Sequence, residues 1–278
     1  MSKSPAQKNG TSISSKKIGA RAHLREEHLV WGIHPLQEAL KACPQAIKEV
    51  IVETDRPGTR LEQIIGQAQK HAIPVNTLRA KSKTDFGIPD KFSQHERSQG
   101  IAARISIPYL TIDELLEKLN QVSGPPLLLA LDSIQDPHNL GAIIRSAAAA
   151  GVNGIILPKD RSAQITGTVI KISAGSVFHM NICRVTNLVH SFKVLKEKGI
   201  WIFGATKDAS RTIYDADLQV PACLVIGNEE KGLRHLVAEN CDMIISIPMQ
   251  GSLDSLNASV AAGIILFETV RQRNVRYR

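Results

Sequence analysis

The sequence is poor in the residues that several common chemistries require. Only four cysteines occur in 278 residues, Cys43, Cys183, Cys223 and Cys241, and no two form a C-x-x-C pair. That spacing argues against a zinc ribbon, a dithiol redox site or a disulfide framework, so the four read as small buried side chains and no metal is expected. No run approaches the roughly 18 consecutive apolar residues of a membrane helix, and the polar N-terminus lacks the apolar core of a secretory signal. A cytoplasmic protein without membrane attachment is the expectation. Neither G-x-G-x-x-G nor G-x-x-x-x-G-K-[ST] is present, which removes the usual phosphate cradles of α/β nucleotide-binding proteins.

Acidic residues are scarce at the two ends. The net charge is +8, and the excess is concentrated there. Lys3, Lys8, Lys16, Lys17, Arg21 and Arg25 stand without an acid in the first 25 residues, and Arg271, Arg273, Arg276 and Arg278 close the chain. Such tails attract polyanions weakly and non-specifically, and they are equally what a disordered end looks like. Residues 1–28, rich in Ser, Lys, Gly and Ala, are expected to be a disordered basic tail.

From Leu29 the pattern becomes α/β. Residues 29–107 alternate helical and strand signals: a helix at Leu36–Ala42 with Pro35 near its start, a strand at Ile47–Val52, and a helix at Arg60–His71. A strand at Ile73–Leu78, a short helix at Lys81–Phe86 and a strand at Ile101–Ile107 follow. Residues 108–124 read as a domain linker that contains a short helix opened by a Thr111-x-x-Glu114 capping box. From 125 to 278, strands near 127–131, 154–157, 180–185, 200–204, 222–226 and 243–247 alternate with helices. That spacing predicts a mostly parallel sheet covered on both faces, an α/β/α domain.

Three loops in this second domain stand where an apolar strand ends, the edge at which parallel sheets bind ligands. The first is Asp136-Pro137-His138-Asn139-Leu140-Gly141 and continues to Arg145. Gly227-Asn228-Glu229-Glu230-Lys231-Gly232 is the second. The third, Ile247-Pro248-Met249-Gln250-Gly251, runs on to Ser255-Leu256-Asn257-Ala258-Ser259 and opens a helix whose unpaired N–H groups suit a polar small molecule.

The three loops match N-x-G-x-x-x-R, G-x-E-x-x-G and I-P-M-x-G-x-x-x-S-L-N-x-S, and in this order and spacing the chain resembles the SpoU branch of the SPOUT methyltransferases over residues 29–273. The resemblance implies S-adenosyl-L-methionine as cofactor, bound around Gly227, Ile247 and Leu256 with Ile226, Met249 and Ala258 lining its slot. It implies a trefoil knot in the C-terminal domain, a homodimer, and 2'-O-methylation of a guanosine ribose in 23S ribosomal RNA. A transfer-RNA ribose methyltransferase and a non-catalytic ribosome-assembly factor are the alternatives. The domain at 29–107 is similar to small RNA-binding domains of ribosomal proteins, and His95-Glu96-Arg97-Ser98-Gln99-Gly100 is similar to the family's H-x-Q-G segment. Arg56, Arg60, Lys81, Lys83, Lys91 and Arg97 are its candidate phosphate contacts.

By the same resemblance, Arg145 engages the ribose hydroxyl and the adjacent phosphate. Asn139 and Asn257 orient arginine and substrate, Ser255 hydrogen-bonds near the methyl donor, and Glu229 fixes the loop or Arg145. A guanidinium is almost always protonated, so Arg145 is expected to lower the hydroxyl pKa rather than to remove the proton itself. Lys159-Asp160-Arg161-Ser162-Ala163 is expected to line the RNA side of the site. His138, His179 and His235 match no catalytic position. Two residues depart from the family pattern, Ala148 and Phe178, where an acidic side chain is common; the change at 178 is expected to alter RNA contacts or the dimer surface.

Overall fold

A computed structural model of the chain describes residues 25–53, 58–77, 99–251 and 255–274. The first unit runs β1 (Arg25–Trp31), α1 (Ile33–Ala42), β2 (Ile47–Val52), α2 (Thr59–Lys70), β3 (Val75–Thr77) and β4 (Ile101–Pro108). Strand β4 buries Ile101, Ala102, Ala103, Ile105, Ser106 and Ile107. A strand apolar on both faces requires partners on both edges and cover above and below. It accordingly lies inside the sheet β1-β4-β2-β3, antiparallel to both neighbours, while β3 pairs parallel with β2. Helices α1 and α2 cover one face with Leu36, Ala39, Leu40, Ile64 and Ala68.

Strand β1 corrects the expected extent of the N-terminal tail. Arg25 to His28 are not part of it, because they pair with Pro108 to Ile105 along the otherwise open edge of β4. Residues 1–24 lie outside the described residues, as does the helix expected at Lys81–Phe86. Gln99 and Gly100, the described part of the H-x-Q-G-like segment, form a left-handed turn with φ of 53° and 69°. The Gln99 amide oxygen accepts from the Ile33 N–H at 2.9 Å, so this side chain caps the start of α1. Of the phosphate-contact candidates, Arg60 is exposed on α2, and the other five lie outside the described residues.

The second unit runs α3 (Ile112–Leu119), β5 (Leu127–Leu131), α4 (Pro137–Ala149), β6 (Gly154–Pro158), α5 (Gly167–Ile172) and β7 (Ile182–Val185). It continues with α6 (Leu188–Glu197), β8 (Trp201–Ala205), β9 (Ala222–Ile226), α7 (His235–Glu239), β10 (Met243–Ile245) and α8 (Ala258–Asn274). Its six strands lie in the order β10-β8-β9-β5-β6-β7, and every neighbouring pair is parallel. Along β5 the faces alternate: Leu127, Leu129 and Leu131 pack with Leu140, Ile143 and Ile265 on one side, Leu128 and Ala130 with Leu115 and Phe192 on the other. No helix among the described residues is long and apolar enough to cross a membrane.

The segment expected to link the domains belongs to the second unit. Thr111 and Glu114 form the reciprocal capping box, with Glu114 N–H donating to Thr111 Oγ1 at 3.3 Å and Thr111 N–H to Glu114 at 2.8 Å. The helix they open is amphipathic and must bury its apolar stripe, and Leu115 is fully buried against β5 and β6. Leu110 N–H donates to Ile182 and Arg184 N–H returns to Leu110, which ties the segment to β7. Its burial is worth about 2–3 kcal/mol by the Leu115 side chain alone.

The two sheets meet where α5 crosses β1. A Cβ added at Gly167 would stand 2.6 Å from the Leu29 carbonyl oxygen, so only glycine permits that approach. Beside it, His179 Nε2 lies 3.0 Å from the Glu38 carboxylate of α1. Phe178 packs half-buried against the main core. The departure from an acidic residue there therefore adds apolar packing next to this junction.

Candidate active site

All three conspicuous loops emerge at the C-terminal edge of the parallel sheet, and the structure folds them onto one another. Asp136 caps α4 by accepting from the His138 N–H at 2.9 Å, which fixes the first turn and turns Asn139 inward to 8% exposure. Asn139 donates its amide to the Glu229 carboxylate. Asn257 donates to Asn139 Oδ1 at 2.9 Å and to Glu229 Oε1 at 3.1 Å. Its own Oδ1 accepts from the Ser259 N–H at 3.0 Å and caps α8. One residue from each loop thus meets at a single junction, with Glu229 engaged by the two asparagines.

Beside this junction opens a cleft of about 570 Å³. All six residues expected to hold the cofactor, Ile226, Gly227, Ile247, Met249, Leu256 and Ala258, line it, and so does Ser255. Ala261 and Ile265 of α8 extend the apolar wall. The second loop folds back on itself through an Asn228–Gly232 backbone pair of 2.9 and 3.1 Å. A Cβ at Gly227 would lie 2.4 Å from the Gly232 carbonyl, so the turn needs glycine.

Sequence reasoning missed one wall of the cleft. Ala205, Thr206, Lys207 and Asp208 leave the end of β8, the neighbour of β9, and line it. The signal was present, because these residues follow an apolar strand just as the three recognised loops do.

Arg145 is not brought to the junction. It lies six residues beyond Asn139 on α4, about 9 Å further along the axis and turned by about 240°, and it is exposed. Among the described residues no hydrogen bond or ion pair joins it to Asn139, Glu229 or Asn257. The Lys159–Ala163 loop packs beside the first loop, with the Ala163 N–H donating to the Ile134 carbonyl at 2.8 Å.

The remaining candidates for chemistry have structural surroundings. Burial pushes the Cys43 thiol up to about 11 and those of Cys183 and Cys241 up to about 12, and it raises Cys223 as well. Such thiols are poor nucleophiles and poor metal ligands. Among the described residues no group of three His, Cys, Asp or Glu side chains is placed to hold a metal ion. His235 pairs with Glu239 at 3.3 Å and His138 is exposed at the start of α4.

Residues 126–267 match the family model of the SpoU rRNA Methylase family, and residues 29–110 match the model for RNA 2'-O ribose methyltransferase substrate binding. Shewanella oneidensis has a 23S rRNA (guanosine-2'-O-)-methyltransferase RlmB that is 40% identical over 250 residues, 90% of this chain and 99% of that protein. Among solved structures, the SpoU methyltransferase AviRb from Streptomyces viridochromogenes in complex with AdoMet superposes with a TM-score of 0.74 at 26% identity, covering 90% of this chain and 91% of that one. The AdoMet-bound rRNA methyltransferase from Sinorhizobium meliloti reaches a TM-score of 0.71 at 25% identity, over 88% and 87%. With its three loops joined at one junction beside a cofactor-sized cleft, the chain belongs to the SpoU family of RNA methyltransferases.

Proposed function

We propose that this protein transfers the methyl group of S-adenosyl-L-methionine to the 2'-hydroxyl of a guanosine in 23S ribosomal RNA. The observation that carries the reading is the Asn139–Glu229–Asn257 junction closing one side of the cleft. The cleft fits this cofactor by its size, by its apolar wall of Ile226, Ile247, Leu256 and Ile265, and by backbone groups exposed along a loop that glycine keeps tight. Bound there, the cofactor supplies a methyl group activated by a sulfonium.

The chain's own task is to prepare a weak nucleophile. Arg145 donates to the ribose oxygen and the neighbouring phosphate, stabilising the developing oxyanion as the hydroxyl proton leaves to solvent water and holding the oxygen in line. Asn139 and Asn257, locked by Glu229, keep the start of α4 and the start of α8 at a fixed separation, and Ser255 offers a hydroxyl at the cleft. The four-stranded unit at residues 25–108 holds the RNA, and Lys159 and Arg161 line its path.

A homodimer completes the site. Arg145 and Ala149 occupy the exposed side of α4, and Val260 and Phe267, 49% and 50% exposed, occupy one face of α8, which packs on α4. A second copy covering this surface gives the unengaged Arg145 an active site to serve. The knotted threading is part of the same proposal: after edge strand β10 the chain returns to lay α8 against α4 and β9 in the middle of the sheet. The proposed location is the cytoplasm.

Calorimetry with S-adenosyl-L-methionine, followed by methyl transfer to unmodified 23S ribosomal RNA and to transfer RNA, tests the reading. Binding with transfer to ribosomal RNA is expected. Transfer to transfer RNA alone would replace the substrate, and no binding would overturn the enzyme assignment.

A further inference from the structure

Asp132 stands at the end of β5, fully buried, and plays no part in the junction just described. A carboxylate removed from water needs charge and hydrogen bonds to compensate for lost hydration. Asp132 has them from the second loop: its Oδ1 accepts from Arg234 Nε at 2.7 Å and its Oδ2 from the Arg234 backbone N–H at 2.8 Å. Its own N–H donates to the Ile226 carbonyl at 2.8 Å, and Ser133 Oγ lies 3.3 Å from Oδ1. Ser133 holds a left-handed φ of 62°, and its carbonyl accepts from the Asn228 amide at 3.4 Å.

The second loop is thereby attached to the first at three heights. Arg234 holds its base, Asn228 its middle and Glu229 its tip. Only the base attachment carries a full ionic charge on each side, and it holds both ends of the cleft-lining segment Ile226–Leu233: Asp132 grips the following Arg234 by its carboxylate and the Ile226 carbonyl by its N–H.

We infer that Asp132 and Arg234 are a positioning pair that sets the height of the cofactor loop over the sheet edge, so that this ion pair governs cofactor affinity without touching the reacting atoms. The inference rests on the methyltransferase reading above. The Arg234 side chain is 41% exposed, so replacing it opens no core cavity, and the cost falls on the Asp132 carboxylate left without its charged partner.

Wild type, Arg234→Gln, Arg234→Lys and Asp132→Asn with Arg234→Gln together are compared by calorimetry with S-adenosyl-L-methionine and by methyl transfer at saturating cofactor, with thermal unfolding recorded for each. Arg234→Gln is expected to bind at least tenfold more weakly with turnover at saturation within about threefold of wild type. Arg234→Lys should be intermediate, and the double variant no worse than Arg234→Gln, since a neutral amide at position 132 leaves no buried charge without a partner. Folded variants that bind as tightly as wild type would overturn the pair's role. So would loss of folding in both single variants, because that would make the pair a support of the whole domain. A wild type that binds no cofactor would instead overturn the methyltransferase reading itself.

Discussion

Helices α8 and α4, packed on one another, use the same residue type in opposite ways. At the N-terminal edge of the six-stranded sheet, Arg273 of α8 donates to four backbone carbonyls: Leu218 at 3.0 Å, Pro125 at 2.7 Å, Val220 at 2.7 Å and Pro126 at 3.4 Å. Every arm of its fork is engaged, and burial lowers its pKa from the ordinary guanidinium value. On the exposed side of α4, Arg145 stands without a hydrogen-bonded partner in the Asn139–Glu229–Asn257 junction. A guanidinium whose donors are satisfied internally holds the fold together; one left exposed on a helix face is available for an anion. Chain position does not separate the two roles, because Arg273 falls in the basic C-terminal group that the sequence presents as a polyanion-attracting tail. Arg271 of that group is likewise engaged, paired with Glu268 at 2.8 Å.

Substitutions can break this contrast. Arg145→Ala should lower methyl transfer about 1,000-fold, about 4 kcal/mol of transition-state stabilisation, while chemical denaturation shows stability within about 0.5 kcal/mol of wild type. Arg145→Lys should recover little of the loss, because an ammonium cannot reproduce the planar fork. Arg273→Ala should do the reverse: about 3 kcal/mol less stable in denaturant titrations, with turnover per folded molecule preserved at low temperature. Gly227→Ala sharpens the comparison at the cleft. Its Cβ meets the Gly232 backbone, so calorimetry should show cofactor affinity reduced about tenfold, about 1.4 kcal/mol, with Arg145 untouched.

The smallest effect concerns the contact between the two sheets. Hydrogen bonds from Lys41, then His179, hold the Glu38 carboxyl below its ordinary pKa. A depressed carboxyl contributes stability above its unfolded pKa and loses it as pH falls through the lower folded value. Unfolding measured from pH 6 down to pH 3 should therefore show a modest acid loss that Glu38→Gln abolishes.

Much of this fold is legible in the chain because buried parallel strands are written as unbroken apolar runs. Leu127–Leu131 and Ala222–Ile226 are such runs, and their limits coincide with β5 and β9. Edge strands are less plain: β10 ends at Ile245, short of the apolar residues through Ile247, because pairing with β8 ends there. Strand order is not legible, since periodicity reports which face is buried and not which neighbour buries it. The site divides in the same way. Asn139, Glu229 and Asn257 are recognisable by motif, but their meeting across 90 and 118 residues is a product of the fold. Asp132–Arg234 and Arg273 escape sequence reasoning for a physical reason: their partners are a distant side chain and backbone carbonyls, which impose no local pattern.

The most direct test of the account is transfer of labelled methyl from S-adenosyl-L-methionine to unmodified 23S ribosomal RNA, with the RNA digested to nucleosides and wild type run beside Arg145→Ala. The account predicts label in 2'-O-methylguanosine for wild type and about a thousandth of that rate for the variant, with cofactor binding unchanged between them. Label on a base, or an Arg145→Ala protein as active as wild type, would contradict it.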